Sequence, residues 1–142
     1  MERKARVAFY IGAVFLFLLG AIHSLAHFSG VPAGLDAEQQ RAMDLATTIR
    51  FAMPTGEMRT IIDIQNAFSL YFVIFPITLA VVLWLTVRKL PDPRPVLLVA
   101  AFAMFASAAV TYIYAILPPF IMFVIAGLAF VASATLSGRN GR

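Results

Sequence analysis

A chain of 142 residues that is 61% hydrophobic and only 13% charged, with a mean hydropathy of +0.88, is too apolar for water to solvate its surface. It has no cysteine, which excludes disulfide exchange, thiolate nucleophiles and Cys-ligated zinc or iron–sulfur centres. The net charge of +4 does not point to nucleic acid, because the cations stand mainly at the ends of apolar runs, where they orient a membrane protein.

The first apolar run, residues 7–28, is long enough at about 1.5 Å per residue to cross a hydrocarbon core of about 30 Å. It is interrupted only near its end, by His23, Ser24 and His27. A rival reading makes this run a cleaved signal peptide, since a basic amino end precedes it and Ser24-Leu25-Ala26 has a small-x-small pattern.

The connection that follows is too long for a simple turn, and a helix is expected over 37–51. Asp36 is placed to cap it, with Gln39 three positions on as in a capping box. Met43, Ala46, Ile49 and Met53 recur every three or four residues, which predicts an amphipathic helix on the outer surface or over the helix ends. Pro54, Thr55 and Gly56 end it. The second span, 62–87, has Pro76 at its middle, where a kink is expected.

The third and fourth spans, 96–117 and 119–136, are divided by Leu117-Pro118-Pro119, because a residue before proline leaves helical geometry while Pro119 suits a first turn. Between Val96 and Leu136 the tyrosines are the only ionisable groups, so these helices read as scaffold. Ala103, Ser107 and Thr111 on one, with Ala129 and Ser133 on the other, form small-residue faces on which a second copy or another membrane protein could pack.

Eight of the eleven cations, Arg3, Lys4, Arg6, Arg88, Lys89, Arg94, Arg139 and Arg142, lie at the amino end, in the second connection and in the tail. By the positive-inside rule these segments are cytoplasmic, so both termini are expected inside and the long connection outside. Trp84 at an inner helix end, with Tyr112 and Tyr114 at an outer one, suits aromatic anchoring at the two interfaces.

His23 and His27 are four apart and so share a helix face, within about 40° of each other. Arg59, Asp63 and Asn66 share a face at the start of the second span, at the same expected membrane level, and Tyr112 is placed to join them. Three chemistries fit such a cluster. It can cross-link helices at the wet interface; it can form a pocket in which His23 is acid or base, Asp63 its orienting partner and Arg59 an anchor for a negative group. It can also hold a metal through His23, His27 and Asp63, or a haem on one histidine. Arg59 and Asp63, four apart, are expected to form an ion pair within one turn.

The elements Gly20-x-x-His23, Met53-x-x-Gly56-x-x-Arg59-Thr60-x-x-Asp63 and Phe68-Ser69-Leu70, spread over residues 10–75, resemble a family of small bacterial integral membrane proteins with four helices. The resemblance implies a bacterial cytoplasmic membrane and the positions Gly20, His23, Gly56, Arg59 and Asp63, but no activity. This chain departs from the pattern at Ile62 and Ala67, where an aromatic residue and a glycine are usual.

The expected fold is therefore a single all-α membrane domain over 1–142, four spans running up and down with an extra amphipathic helix in the first outer loop. The leading functional expectation is an outward-side pocket of His23, His27, Arg59, Asp63, Asn66 and Tyr112 that binds a lipid-like or quinone-like molecule. The alternatives are an accessory subunit of a membrane complex, as a homodimer or larger assembly, and a metal or haem protein.

Overall fold

The computed structural model describes residues 1–30, 33–113 and 116–137; Tyr114, Arg139 and Arg142, named above, lie outside them. The elements in chain order are α1 (Arg3–Phe28), α2 (Ala37–Thr48), β1 (Arg50–Ala52), β2 (Met58–Thr60), α3 (Ile61–Val87), α4 (Arg94–Ile113) and α5 (Leu117–Ser137). The chain is mostly helical, and α1, α3, α4 and α5 are each long and apolar enough to cross a membrane.

The four long helices pack antiparallel in a square with three closed sides: α1 against α3, α1 against α5, and α5 against α4, while α3 and α4 barely touch. Aromatic rings and small residues close these sides. Phe9 of α1 meets Phe130 of α5 with ring centroids 6.2 Å apart, and both rings are buried. The fully buried Ser133 hydroxyl donates to Ala5 O at 2.8 Å, so this polar side chain is satisfied across helices. Where α1 crosses α3, a Cβ on Gly20 would lie 2.6 Å from Ile77 Cγ1 and 2.9 Å from Val73 O, so only glycine permits that approach.

α1 contributes Ala5, Phe9, Gly12, Leu16, Leu19 and Gly20 to the buried interior, and cleavage after Ala26 would remove them all. Of the small-residue faces, Ala129 and Ser133 are buried within the bundle, whereas Ala103 lines the gap between α3 and α4.

Three boundaries differ from the sequence reading, each for a local reason. α2 has the expected capping box, with the Gln39 N–H donating to Asp36 Oδ1 at 2.8 Å and the Asp36 N–H to Gln39 Oε1 at 3.1 Å. It ends at Thr48, however, so Ile49 and Met53 leave the predicted stripe, and no residue of α2 is buried. Residues 50–52 instead pair antiparallel with 58–60, Phe51 opposite Arg59. Pro54-Thr55-Gly56 makes the turn: the Gly56 N–H donates to Met53 O and the Met53 N–H to Glu57 O, both at 2.8 Å, with Gly56 at φ +86°. This is a three-residue hairpin loop with its glycine in the left-handed region.

The break between the last two spans falls earlier than Leu117. α4 ends at Ile113, the Ile116 N–H donates back to Thr111 O at 2.8 Å, and Pro118 and Pro119 both sit in the first turn of α5, where their missing N–H groups have no partner to lose. α3 runs as one helix through Pro76, which is buried.

Candidate functional site

The amino-terminal end of α3 is built by a cap and a hairpin. Thr60 is the N-cap: its Oγ1 accepts from the Asp63 N–H at 3.2 Å, and the Asp63 carboxylate accepts from the Thr60 N–H at 2.9 Å. This reciprocal pair satisfies two of the helix's orphan donors and sets a carboxylate at the positive end of the helix dipole. Asp63 is thus held by Thr60, and Arg59 pairs with Glu57 instead; the expected Arg59–Asp63 ion pair is not formed. The hairpin explains the exchange. Arg59 is in a strand, where residue 57 lies on the same side as residue 59, and not on the helix that carries Asp63.

Alternation along the strands puts Phe51, Met53 and Arg59 on one hairpin face. That face overhangs an open groove of about 770 Å³, whose wall continues down α3 through Asp63, Ile64, Ala67, Phe68 and Tyr71. These α3 residues recur every three or four positions and so form one stripe. Its lower edge is extended by Phe75, which stacks on Tyr71 with ring centroids 5.5 Å apart and planes 12° from parallel. The groove therefore has a polar mouth, Arg59 and Asp63, and an apolar wall that descends into the span.

The histidines are elsewhere. His23 faces α3 on the side that meets α1: its Nε2 shares a hydrogen bond of 3.2 Å with Ser69 Oγ, and its ring lies against Phe72 at 5.6 Å. Ser69 is six residues beyond Asp63, which places it about 120° away around α3. His23 and Asp63 are thus turned to different sides of the helix, and the orienting partnership expected for them is replaced by His23–Ser69 and Asp63–Thr60. His27 packs edge-on against Phe28 at 4.9 Å. Asn66 is exposed one turn outward of Ser69.

Tyr112 belongs to a separate place. It lies on α4, which packs on α5, with its ring 5.5 Å from Phe120, and it borders a cavity of about 350 Å³ with Thr111, Ile116, Leu117 and Phe120. Among the described residues no three His, Asp or Glu side chains converge, so the metal set His23, His27 and Asp63 is not assembled. Neither histidine lines the groove at the amino-terminal end of α3, the one between α1 and α3, the cleft between α3 and α4, or the cavity beside Tyr112.

The structure thus divides the expected residues: Arg59 and Asp63 are at the groove mouth, His23 is between α1 and α3, His27 is near the end of α1, Asn66 is exposed on α3 and Tyr112 is at the α4–α5 turn. Sequence reasoning missed Ser69 as the partner of His23, and Met53, Ile64, Phe68 and Tyr71 as groove lining. The signal for the lining was present in the spacing of Asp63, Ala67 and Tyr71, with Ile64 and Phe68 between them, but in an apolar span such a stripe is not distinguishable from lipid contact.

No family model, curated protein or solved structure matches this chain.

Proposed function

We propose that this is a multi-pass membrane protein, with both termini on the cytoplasmic side of a bacterial inner membrane, that binds a lipid-like or quinone-like amphiphile at the outward end of α3. The observation that carries this reading is the polarity gradient of one groove: Arg59 and Asp63 at the mouth, then Ile64, Ala67, Phe68 and Tyr71 along the wall. An amphiphile lodged there keeps its head at the wet interface, where Arg59 offers donors and Asp63 an acceptor, and lays its apolar part against aromatic rings. α2 and the hairpin pack on the same end of α3, with Met43 and Ala46 half-buried. His23 and Ser69 stand behind this wall as a polar link between α1 and α3 that fixes the register of the two helices.

The test is a titration with decylubiquinone and, separately, with a monoacylglycerol, read by native mass spectrometry of the detergent-solubilised protein beside Ala67→Trp and Arg59→Ala. Ala67→Trp fills the groove and is expected to abolish the adduct that the unaltered chain forms; Arg59→Ala is expected to weaken it. Equal adducts in all three proteins would overturn the proposal.

A further inference from the structure

The fourth side of the helix square is open, since α3 and α4 barely touch. Phe75, Leu79 and Leu83 of α3 and Pro95, Val96, Val99, Ala100 and Ala103 of α4 line a cleft of about 410 Å³ with no polar side chain among them. Eight residues separate its ends on each helix, so it is about 12 Å long. That is less than half of a hydrocarbon core of about 30 Å and close to the depth of a single leaflet. The tail of a lipid from one leaflet matches that depth.

The charge at the cleft's closed end selects the lipid. Residues 88–93 join α3 to α4 there, and the cations Arg88, Lys89 and Arg94 at this end are held differently. Arg94 is held by Asp92 through two hydrogen bonds of 2.9 Å, and the Arg88 guanidinium lies 5.0 Å over the Trp84 ring. Lys89 is exposed, and its ammonium forms no ion pair among the described residues. The Lys89 N–H still bonds to Thr86 O at 3.0 Å, so the chain keeps turning past Val87. Lys89 stands just beyond the last turn of α3, in the connection that joins the two helices at this end of the cleft.

We propose that the α3–α4 cleft is a binding site for an anionic phospholipid of the leaflet facing residues 88–94, one acyl chain lying between Leu79, Leu83, Val96 and Ala103 and the head-group phosphate at Lys89. The cations Arg3, Lys4 and Arg6 share that end of the bundle and add to its positive field. The site lies at the other end of α3 from the outer groove, and it stands whatever occupies that groove.

The experiment places the purified protein in phosphatidylcholine vesicles with a trace of phosphatidylglycerol carrying a photoactivatable diazirine in one chain, or with the matching phosphatidylcholine probe. Illumination followed by peptide mass spectrometry is expected to put the phosphatidylglycerol label on residues 79–83 and 96–103, several-fold above the phosphatidylcholine label. Removing one cation near the surface with Lys89→Gln is expected to lower phosphatidylglycerol labelling about fivefold and leave phosphatidylcholine labelling unchanged; Lys89→Arg retains it. Ala103→Phe, which grows into open space, is expected to reduce labelling by both probes. Equal labelling by the two probes in the unaltered protein, indifference to Lys89→Gln, or cross-links to a second copy across these residues would each overturn the proposal.

Discussion

α3 and α5 are nearly equal in hydropathy, 2.4 and 2.2 over their most apolar windows, yet 33% of that window is buried in α5 and only 22% in α3. α5 buries Phe123, Ala126, Gly127, Ala129, Phe130, Ser133 and Ala134, and so touches neighbours along most of its length. α3 buries Pro76, Ala80, Leu83 and Val87, all in its second half, and nothing between Ile61 and Phe75. The difference teaches that hydrophobicity decides whether a helix enters the bilayer, while small residues and ring-filled gaps decide what it touches there. Lipid tails are as apolar as leucine, so burying a leucine against another helix gains little from transfer alone. The half of α3 left unburied is the half that carries the groove.

The comparison breaks most visibly under core truncation. Phe130→Ala removes a fully buried ring and is expected to destabilise the bundle by about 3–5 kcal/mol, whereas Phe68→Ala, at a residue 64% exposed, is expected to stay within about 0.5 kcal/mol. Unfolding in sodium dodecyl sulfate, followed by circular dichroism, measures both. A large loss at Phe68 would mean that the amino-terminal half of α3 is a packing face after all. A smaller effect sharpens the contrast: Thr60→Ala removes one half of the capping box that opens α3 and is expected to cost about 1 kcal/mol, with faster hydrogen exchange at the Asp63 amide while the α5 amides stay protected.

The smallest effect is at the other end of α3. Hydrogen bonds from the Arg94 side chain, then from its backbone N–H, hold the Asp92 carboxyl below the usual carboxylate range. Because the folded value is the lower one, the stabilisation is present above the ordinary aspartate pKa and is lost as pH falls through the folded value. Asp92→Asn is expected to lower stability slightly near neutrality, where the pair is exposed and screened, and to make no difference below the folded value, so that its acid limb is flatter. An acid titration of unfolding in the two proteins checks the sign.

Much of this was legible before any coordinates. The four apolar runs each became a helix, because about twenty residues without charge have one way to satisfy their backbone in hydrocarbon. The Asp36–Gln39 capping box formed as its spacing required. The hairpin was not read, because Met43, Ala46, Ile49 and Met53 satisfy a helical period while Pro54-Thr55-Gly56 satisfies a turn, and the choice between them lies in the pairing of 50–52 with 58–60. The pocket was misassembled for a related reason. Spacing shows which residues share a face of one helix, but the rotation of α3 relative to α1 is set where Gly20 meets Val73 and Ile77, and that contact turns Ser69 to His23 while Asp63 remains beside Thr60 and the groove.

By itself, then, the sequence determined which segments are helical and apolar enough to cross a membrane and where their caps and turns lie, since these follow from local hydrogen bonding and transfer into hydrocarbon. Only the tertiary structure decided which helices touch, which candidates stand together, and that α3 and α4 part to leave a cleft. In an apolar solvent those choices rest on close packing between faces distant in the chain, and no periodicity within one segment encodes them.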